Sequence, residues 1–210
     1  MKAIPLPTQL LAAAALALAV AFVPAASFAE AKIDEAAPAF TLKDVDGKER
    51  SLADYKGKTV VLEWTNDGCP FVKKHYGSGN MQALQKRWTE KGVVWLTINT
   101  SAEGKQGHLS PAAAKALMAE QKAAPTAYLF DGDGKVGKLY KAQTTPHMYV
   151  IDGEGTLRYM GAIDDKATVD LSDVPKAKNY VEAALAELAE GKPVTTKATR
   201  AYGCSVKYAD

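Results

Sequence analysis

Two cysteines, Cys69 and Cys204, and three histidines, His75, His108 and His147, are the soft and imidazole side chains of this 210-residue chain. Cys69 stands in Thr65-Asn66-Asp67-Gly68-Cys69-Pro70, a loop that follows an apolar run and opens a helical pattern. Pro70 suits the first helical position, where a backbone N–H is not needed. A thiol at that point meets free amides and the positive end of the helix dipole, both of which favour the thiolate. Lys73 lies one turn on, with Lys74 and His75 behind it, and these cations can lower the thiol further. The thiolate is the form that attacks disulfides and peroxides. Three roles are open for Cys69: a nucleophile, half of a structural disulfide, or a ligand for a soft ion such as copper(I) with Cys204 and His147. Asn66 can donate a hydrogen bond to an oxidised sulfur, and Trp64 is expected to pack beneath the site. His75 falls off the helix face of Cys69. His108 sits in a polar loop.

Cys204 is the one possible partner for Cys69 within the chain, and it lies in a polar tail that must fold back to reach it. If it does, the tail is either a resolving arm that closes a disulfide after Cys69 reacts, or a permanent staple. In the chain-entropy picture a staple closing so long a loop stabilises by roughly 4–5 kcal/mol.

The elements that must position these residues can be read from pattern. Ala39 to Leu42, the Asp46-Gly47 turn and Ser51-Leu52 predict a hairpin. Thr59–Trp64 and Val93–Asn99 predict buried strands. A helix is expected from Pro70 to about Lys91, with Gly77 and Gly79 as weak points, and another over Ala112–Lys122 with Ser110 as cap. Thr126–Phe130, His147–Asp152 and Leu157–Gly161 read as strands. Pro175–Glu190 reads as an alanine-rich closing helix ended by Gly191 and Pro193. Strands alternating with helices, closed by a hairpin and a helix, give an α/β sandwich around a mixed sheet.

Composition narrows the function classes. Lys and Arg number 26 against 24 Asp and Glu, a net charge of +2, with no basic block. That disfavours a polyanion or nucleic-acid binder. Two cysteines exclude a disulfide-dense scaffold and a four-thiolate zinc site. Residues 1–29 read as a secretory leader: Lys2, an apolar run from Leu10 to Val23, then Ser27 and Ala29 at peptidase spacing. The run is shorter than the roughly 20 residues that span a bilayer. Cleavage leaves a domain over 30–192 and a tail over 193–210 that carries Cys204. Export to an oxidising compartment, best matched by a bacterial periplasm, permits a disulfide.

From Ala36 to about Gly191 the chain resembles the thioredoxin-fold redoxins, the thioredoxin-like and AhpC/TSA peroxiredoxin-like proteins. The resemblance rests on Ala36-Ala37-Pro38-Ala39-Phe40, on Tyr55-Lys56-Gly57-Lys58, and on Val60-Val61-Leu62-Glu63-Trp64 leading to Cys69. Thr145-Pro146 before a strand and Val150-Ile151-Asp152-Gly153 complete it. Cys-Pro-Phe-Val-Lys-Lys-His-Tyr with a late Gly-Cys is similar to an exported subgroup. Val72 stands where a thioredoxin has its second cysteine. Asn66 and Leu62 stand where a peroxiredoxin has Thr or Ser and Pro. Neither activity therefore transfers whole.

The resemblance implies a thioredoxin-like fold with an N-terminal β-hairpin, a mixed central sheet flanked by helices and a C-terminal tail. It implies that Pro146 is a cis proline facing Cys69, with Thr145 beside the sulfur, so that Thr145, Pro146, Asn66 and Pro70 form the substrate contact. It implies that Glu63 is a buried acid that moves protons for the thiols. The alternative for Glu63 is a lysine partner or an outward-facing strand end. The expected activity is thiol–disulfide exchange or peroxide reduction without a cofactor. Partners would be protein thiols or disulfides, or small peroxides, plus a reductant of unknown identity. No nucleic acid is expected, nor stable membrane insertion once the leader is gone. The competing reading is a copper-binding or non-catalytic module with a structural Cys69–Cys204 bridge.

Overall fold

The computed structural model describes residues 30–210 and Met1. The rest of the expected leader lies outside the described residues. Among the described residues no helix is long and apolar enough to cross a membrane.

The chain opens with a hairpin of β1 (Thr41–Asp44) and β2 (Glu49–Ser51). Asp44 Oδ1 fixes its turn by accepting from the amides of Asp46 and Lys48 at 2.9 and 3.0 Å. β3 (Val60–Trp64) is apolar except for Glu63 and is buried along its whole length. The expected long helix is two: α1 (Pro70–Gly77) and α2 (Asn80–Thr89). Gly79 divides them at φ +76°, a left-handed conformation that side chains with a Cβ resist. β4 (Val94–Asn99) follows, then α3 (Pro111–Gln121), whose cap Ser110 accepts from the Ala113 amide at 3.2 Å. β5 (Ala127–Phe130), α4 (Lys135–Leu139), the two-residue β6 (Thr144–Thr145), β7 (His147–Ile151) and β8 (Leu157–Gly161) come next.

The closing helix starts later than its alanine content suggests. Pro175 sits in a separate 3-10 turn, Leu171–Lys176, and Ala177 is extended. α5 (Tyr180–Ala189) begins where Asn179 Oδ1 accepts from the Glu182 amide at 2.9 Å. The proline and the asparagine cap outweigh helix propensity at that junction.

The sheet order is β2-β1-β5-β4-β3-β7-β8. The β3–β4 and β4–β5 pairings are parallel and the others antiparallel, so the sheet is mixed, as expected. Side chains alternate across it. Val60, Leu62 and Trp64 join Leu96, Ile98, Tyr140 and Tyr149 on one face. Val61 points to the other, with Met148 and Val150, beneath α1, α2 and α5; Cys69 belongs to this second core. Each large side chain buried this way contributes about 1.5–3 kcal/mol relative to exposure. Trp64 therefore packs on the face opposite to Cys69, against Tyr140 and Tyr149, and not beneath the sulfur as expected.

The tail folds back across the molecule. Met160 donates to Lys197 O at 3.0 Å, which lays the tail along β8. It then forms β9 (Cys204–Ser205), antiparallel to β6, with Thr145 opposite Cys204 and Thr144 opposite Ser205. Beyond β9, Ala102 donates to Lys207 O at 2.9 Å and Tyr208 OH donates to Ala142 O at 2.7 Å.

Candidate active site

Cys69 is the N-cap of α1 and is fully covered. Its thiol donates to Thr145 O at 3.0 Å. The Thr145–Pro146 peptide is cis, as the resemblance implied. Thr145 closes the two-residue strand β6, and Cys69 meets it through the thiol hydrogen bond. Cys204 joins them through the β6–β9 register, and both cysteines are free thiols.

Gly203 makes that approach possible. A Cβ at Gly203 would lie 2.1 Å from Thr145 O, and its φ of +142° is one that side chains avoid. The Gly-Cys pair noted in the sequence therefore has a steric reason.

Burial opposes ionisation of Cys69. The Cys204 thiol, the amides of Val72 and Cys204, and the Thr145 hydroxyl outweigh it, and the thiol lies below its ordinary value. The Val72 amide faces the sulfur without closing a capping bond. Thr145 Oγ1 is buried and has no hydrogen-bond partner, so it is a donor available to a thiolate. Cys204 moves the other way. Burial first, then its neighbour Cys69, push it up to about 11, against the pull of Lys207. The pair thus divides into an acidic sulfur inside and a reluctant one in the tail.

The cations expected to activate Cys69 are elsewhere. Lys73 is exposed. Lys74 is buried, 3.8 Å from Asp164 Oδ2, and donates to Lys166 O at 2.6 Å. His75 is buried, and desolvation pulls it down to about 4, so it is neutral at pH 7. Amides and hydroxyls around the sulfur take the place assigned to charge.

Glu63 is fully buried and, among the described residues, has no lysine partner. Its carboxylate accepts from Tyr76 OH at 2.8 Å, Trp95 Nε1 at 2.8 Å, Gln85 Nε2 at 3.1 Å and Thr97 Oγ1 at 3.2 Å. Burial still raises its pKa, against all four donors. Among the described residues it makes no hydrogen bond to either sulfur. Asn66 is also committed away from the sulfur. Its amide donates to Gln106 O at 3.1 Å, and its Oδ1 accepts from the Gly68 amide at 2.9 Å. It shapes the loop that presents Cys69. Pro70 is exposed at the first position of α1.

His147 does not join the sulfurs as a ligand. Its Nδ1 faces the Tyr149 hydroxyl at 3.0 Å and accepts from the Gln143 amide at 3.3 Å. Among the described residues no three His, Cys, Asp or Glu side chains are grouped to hold a metal ion. Sequence reasoning passed over Tyr202, Asp164 and Lys207. The one signal was position: two of them flank Cys204 within three residues.

Comparison with known proteins fits this geometry. The chain is 28% identical to the thioredoxin-like protein YneN of Bacillus subtilis over 122 residues, 58% of this chain and 66% of that protein. It is also 28% identical to the thiol-disulfide oxidoreductase ResA of Bacillus thuringiensis over 127 residues, 54% of this chain and 72% of that one. Among solved structures, an uncharacterized conserved protein from Geobacillus kaustophilus superposes with a TM-score of 0.73 at 30% identity, covering 85% of this chain and 93% of that chain. The thioredoxin domain of a thiol-disulfide oxidoreductase from Bacteroides vulgatus superposes at 0.51 with 22% identity, covering 70% and 97%, a likeness of fold. The model of the AhpC/TSA family matches residues 33–160. The chain, with its thioredoxin-like fold, belongs to the AhpC/TSA family, and Cys204 lies beyond the part that the family model describes.

Proposed function

We propose that the protein is an exported thiol–disulfide oxidoreductase in which Cys69 attacks and Cys204 resolves. The observation that carries this is the pairing of Thr145 with Cys204, which sets the second thiol against the first at the cis-proline edge. The names of the relatives support the reaction class, and the leader-like residues 1–29 support export to the periplasm.

The Cys69 thiolate attacks one sulfur of a substrate disulfide. A mixed disulfide forms, and the other substrate sulfur leaves as a thiolate that takes up a proton. Cys69 no longer carries charge at that stage, so its part in holding Cys204 protonated is gone; burial still opposes ionisation of Cys204 and Lys207 favours it. Cys204 loses its proton to solvent and attacks Cys69 Sγ. The second substrate thiol is released and a Cys69–Cys204 disulfide remains, which an external dithiol reduces. Thr145 and Pro146 supply the backbone edge beside the sulfur. Glu63 anchors α1 and α2 to the sheet in this reading.

Exchange with a disulfide-bearing protein substrate tests it. Cys69→Ser abolishes turnover. Cys204→Ser halts at a mixed disulfide on Cys69, visible by mass. Turnover by Cys69→Ser would overturn the assignment. Consumption of hydrogen peroxide without disulfide exchange would replace the reaction class while keeping the nucleophile.

A further inference from the structure

We propose that Tyr202 is a positioning residue: its hydroxyl, hooked onto the buried Asp164, holds Cys204 over Cys69 and sets how often the two sulfurs meet. The inference rests on the exchange reading above and adds the part that governs its second step.

β9 is two residues long and pairs only with β6. So short a ribbon has little stability of its own. Something else must hold the tail at Cys204. Tyr202 and Cys204 both pack against the core that α1 covers, while the bend at Gly203 passes Thr145. The Tyr202 ring packs edge-on against Phe71 of α1, with centroids 5.7 Å apart. Its hydroxyl donates to Asp164 Oδ1 and accepts from His75 Nε2 at 3.3 Å. Asn80 donates to His75 Nδ1 at 2.9 Å, which leaves the proton on Nε2.

Asp164 is itself held rigidly. It accepts from the Lys166 amide at 2.9 Å and lies 3.8 Å from the buried Lys74 ammonium. Burying a lysine, an aspartate and a histidine together is costly unless each is partnered. This group is fixed to α1 and to the segment after β8. Among the described residues its hydrogen bonds to the tail go to the Tyr202 hydroxyl, and Lys74 Nζ lies 5.8 Å from the same ring's centroid, so the cluster forms a socket and the phenol a removable plug. An open cleft of about 630 Å³ borders the plug, lined by Thr144, Asp165, Thr199, Arg200, Tyr202 and Gly203. The tail has room there to swing out when the hydroxyl lets go.

The test uses the full chain in glutathione buffers. It measures by mass the effective concentration of Cys204 toward glutathionylated Cys69. Tyr202→Phe keeps the ring on Phe71 and removes only the hydroxyl. It is expected to lower that effective concentration about tenfold, the size of one lost buried hydrogen bond to a charged group, with the thermal unfolding transition retained. Phe71→Leu, which removes the ring contact and leaves the hydroxyl, is expected to change it by less than about threefold. Wild-type ring closure in Tyr202→Phe, or an equal loss in Phe71→Leu, overturns the hydroxyl catch. Should Tyr202→Phe fail to fold, Asp164→Asn, which weakens the charge-assisted bond to a neutral one, replaces it; a fall of about threefold or more is expected there, and an unchanged effective concentration overturns the catch. If the wild type itself forms no Cys69–Cys204 ring in any buffer, the exchange reading fails instead, which is a separate result.

Discussion

Glu63 and Cys69 are both closed to solvent, and the closures differ in kind. Glu63 is shut in by side chains from α1, α2 and β4: Tyr76, Gln85, Trp95 and Thr97. None of these can move without opening the core. Cys69 lies against the tail, which is held there by a two-residue ribbon, by Tyr202 and by the bonds of Val206, Lys207 and Tyr208 just beyond. The same degree of burial is thus permanent at one site and conditional at the other. Desolvation acts on both. At Glu63 it prevails and the acid is held toward its neutral form; at Cys69 local donors prevail and the thiol is held toward its charged form. A buried ionisable group is a candidate for chemistry when its cover can leave and when its donors favour the reactive ion.

Breaking the permanent site should have the largest effect. Glu63→Ala takes an acceptor from four buried donors, of which Gln85 alone keeps another in Tyr76 OH, and is expected to cost about 3–5 kcal/mol, measured by urea unfolding. The folded fraction should still close its cysteine ring. A neutral result would mean that the cage is not structural.

Breaking the conditional site should cost less stability and more chemistry. Gly203→Val forces a Cβ into Thr145 O and lifts the ribbon. The expected loss is about 1–3 kcal/mol. Native-state alkylation of Cys69 should become readily detectable, and ring closure should fall at least about tenfold, since 1.4 kcal/mol of positioning is a factor of ten. If Cys69 stays protected in this variant, the tail is not its cover.

The smallest effect sharpens the contrast in sign. The folded pKa of Glu63 is raised above the ordinary 4.5. Its contribution to stability is full below 4.5 and is lost as pH rises through the folded value. Wild type should therefore lose stability relative to Glu63→Gln from pH 4.5 upward. Cys69 runs the other way. Its folded pKa is lowered, so it adds stability above the ordinary thiol value of about 8.5 and loses it as pH falls through the folded value. Parallel unfolding series of wild type, Glu63→Gln and Cys69→Ser would show the two opposite slopes. Slopes of one sign would remove the distinction.

The sheet was legible because its strands are short apolar runs bounded by turns, and Cys69 because a proline and a helix start follow it. The long helix failed at Gly79, where a left-handed glycine redirects the chain after a run that is helical by pattern. The last helix failed at Asn179, whose cap outweighs the helix-prone Lys176-Ala177-Lys178 before it. Lys73, Lys74 and His75 were legible as charges but not as to where they point. One-turn spacing places a side chain on a helix face, and packing then decided that Lys74 and His75 face Asp164 and Tyr202. The tail was the least legible part. β9 is held by Gly203 against Thr145, by Tyr202 in its socket and by Lys207 against Ala102, all contacts between residues far apart in sequence. No local periodicity encodes them.

The most direct measurement is a pH titration of thiolate absorbance in the reduced protein, repeated with Cys204→Ala. In wild type one sulfur should ionise below the ordinary thiol value and the other near 11; removing Cys204 should abolish the upper transition and shift Cys69 upward. Two sulfurs titrating together at the ordinary value, or a Cys69 transition that ignores the loss of Cys204, would contradict the account.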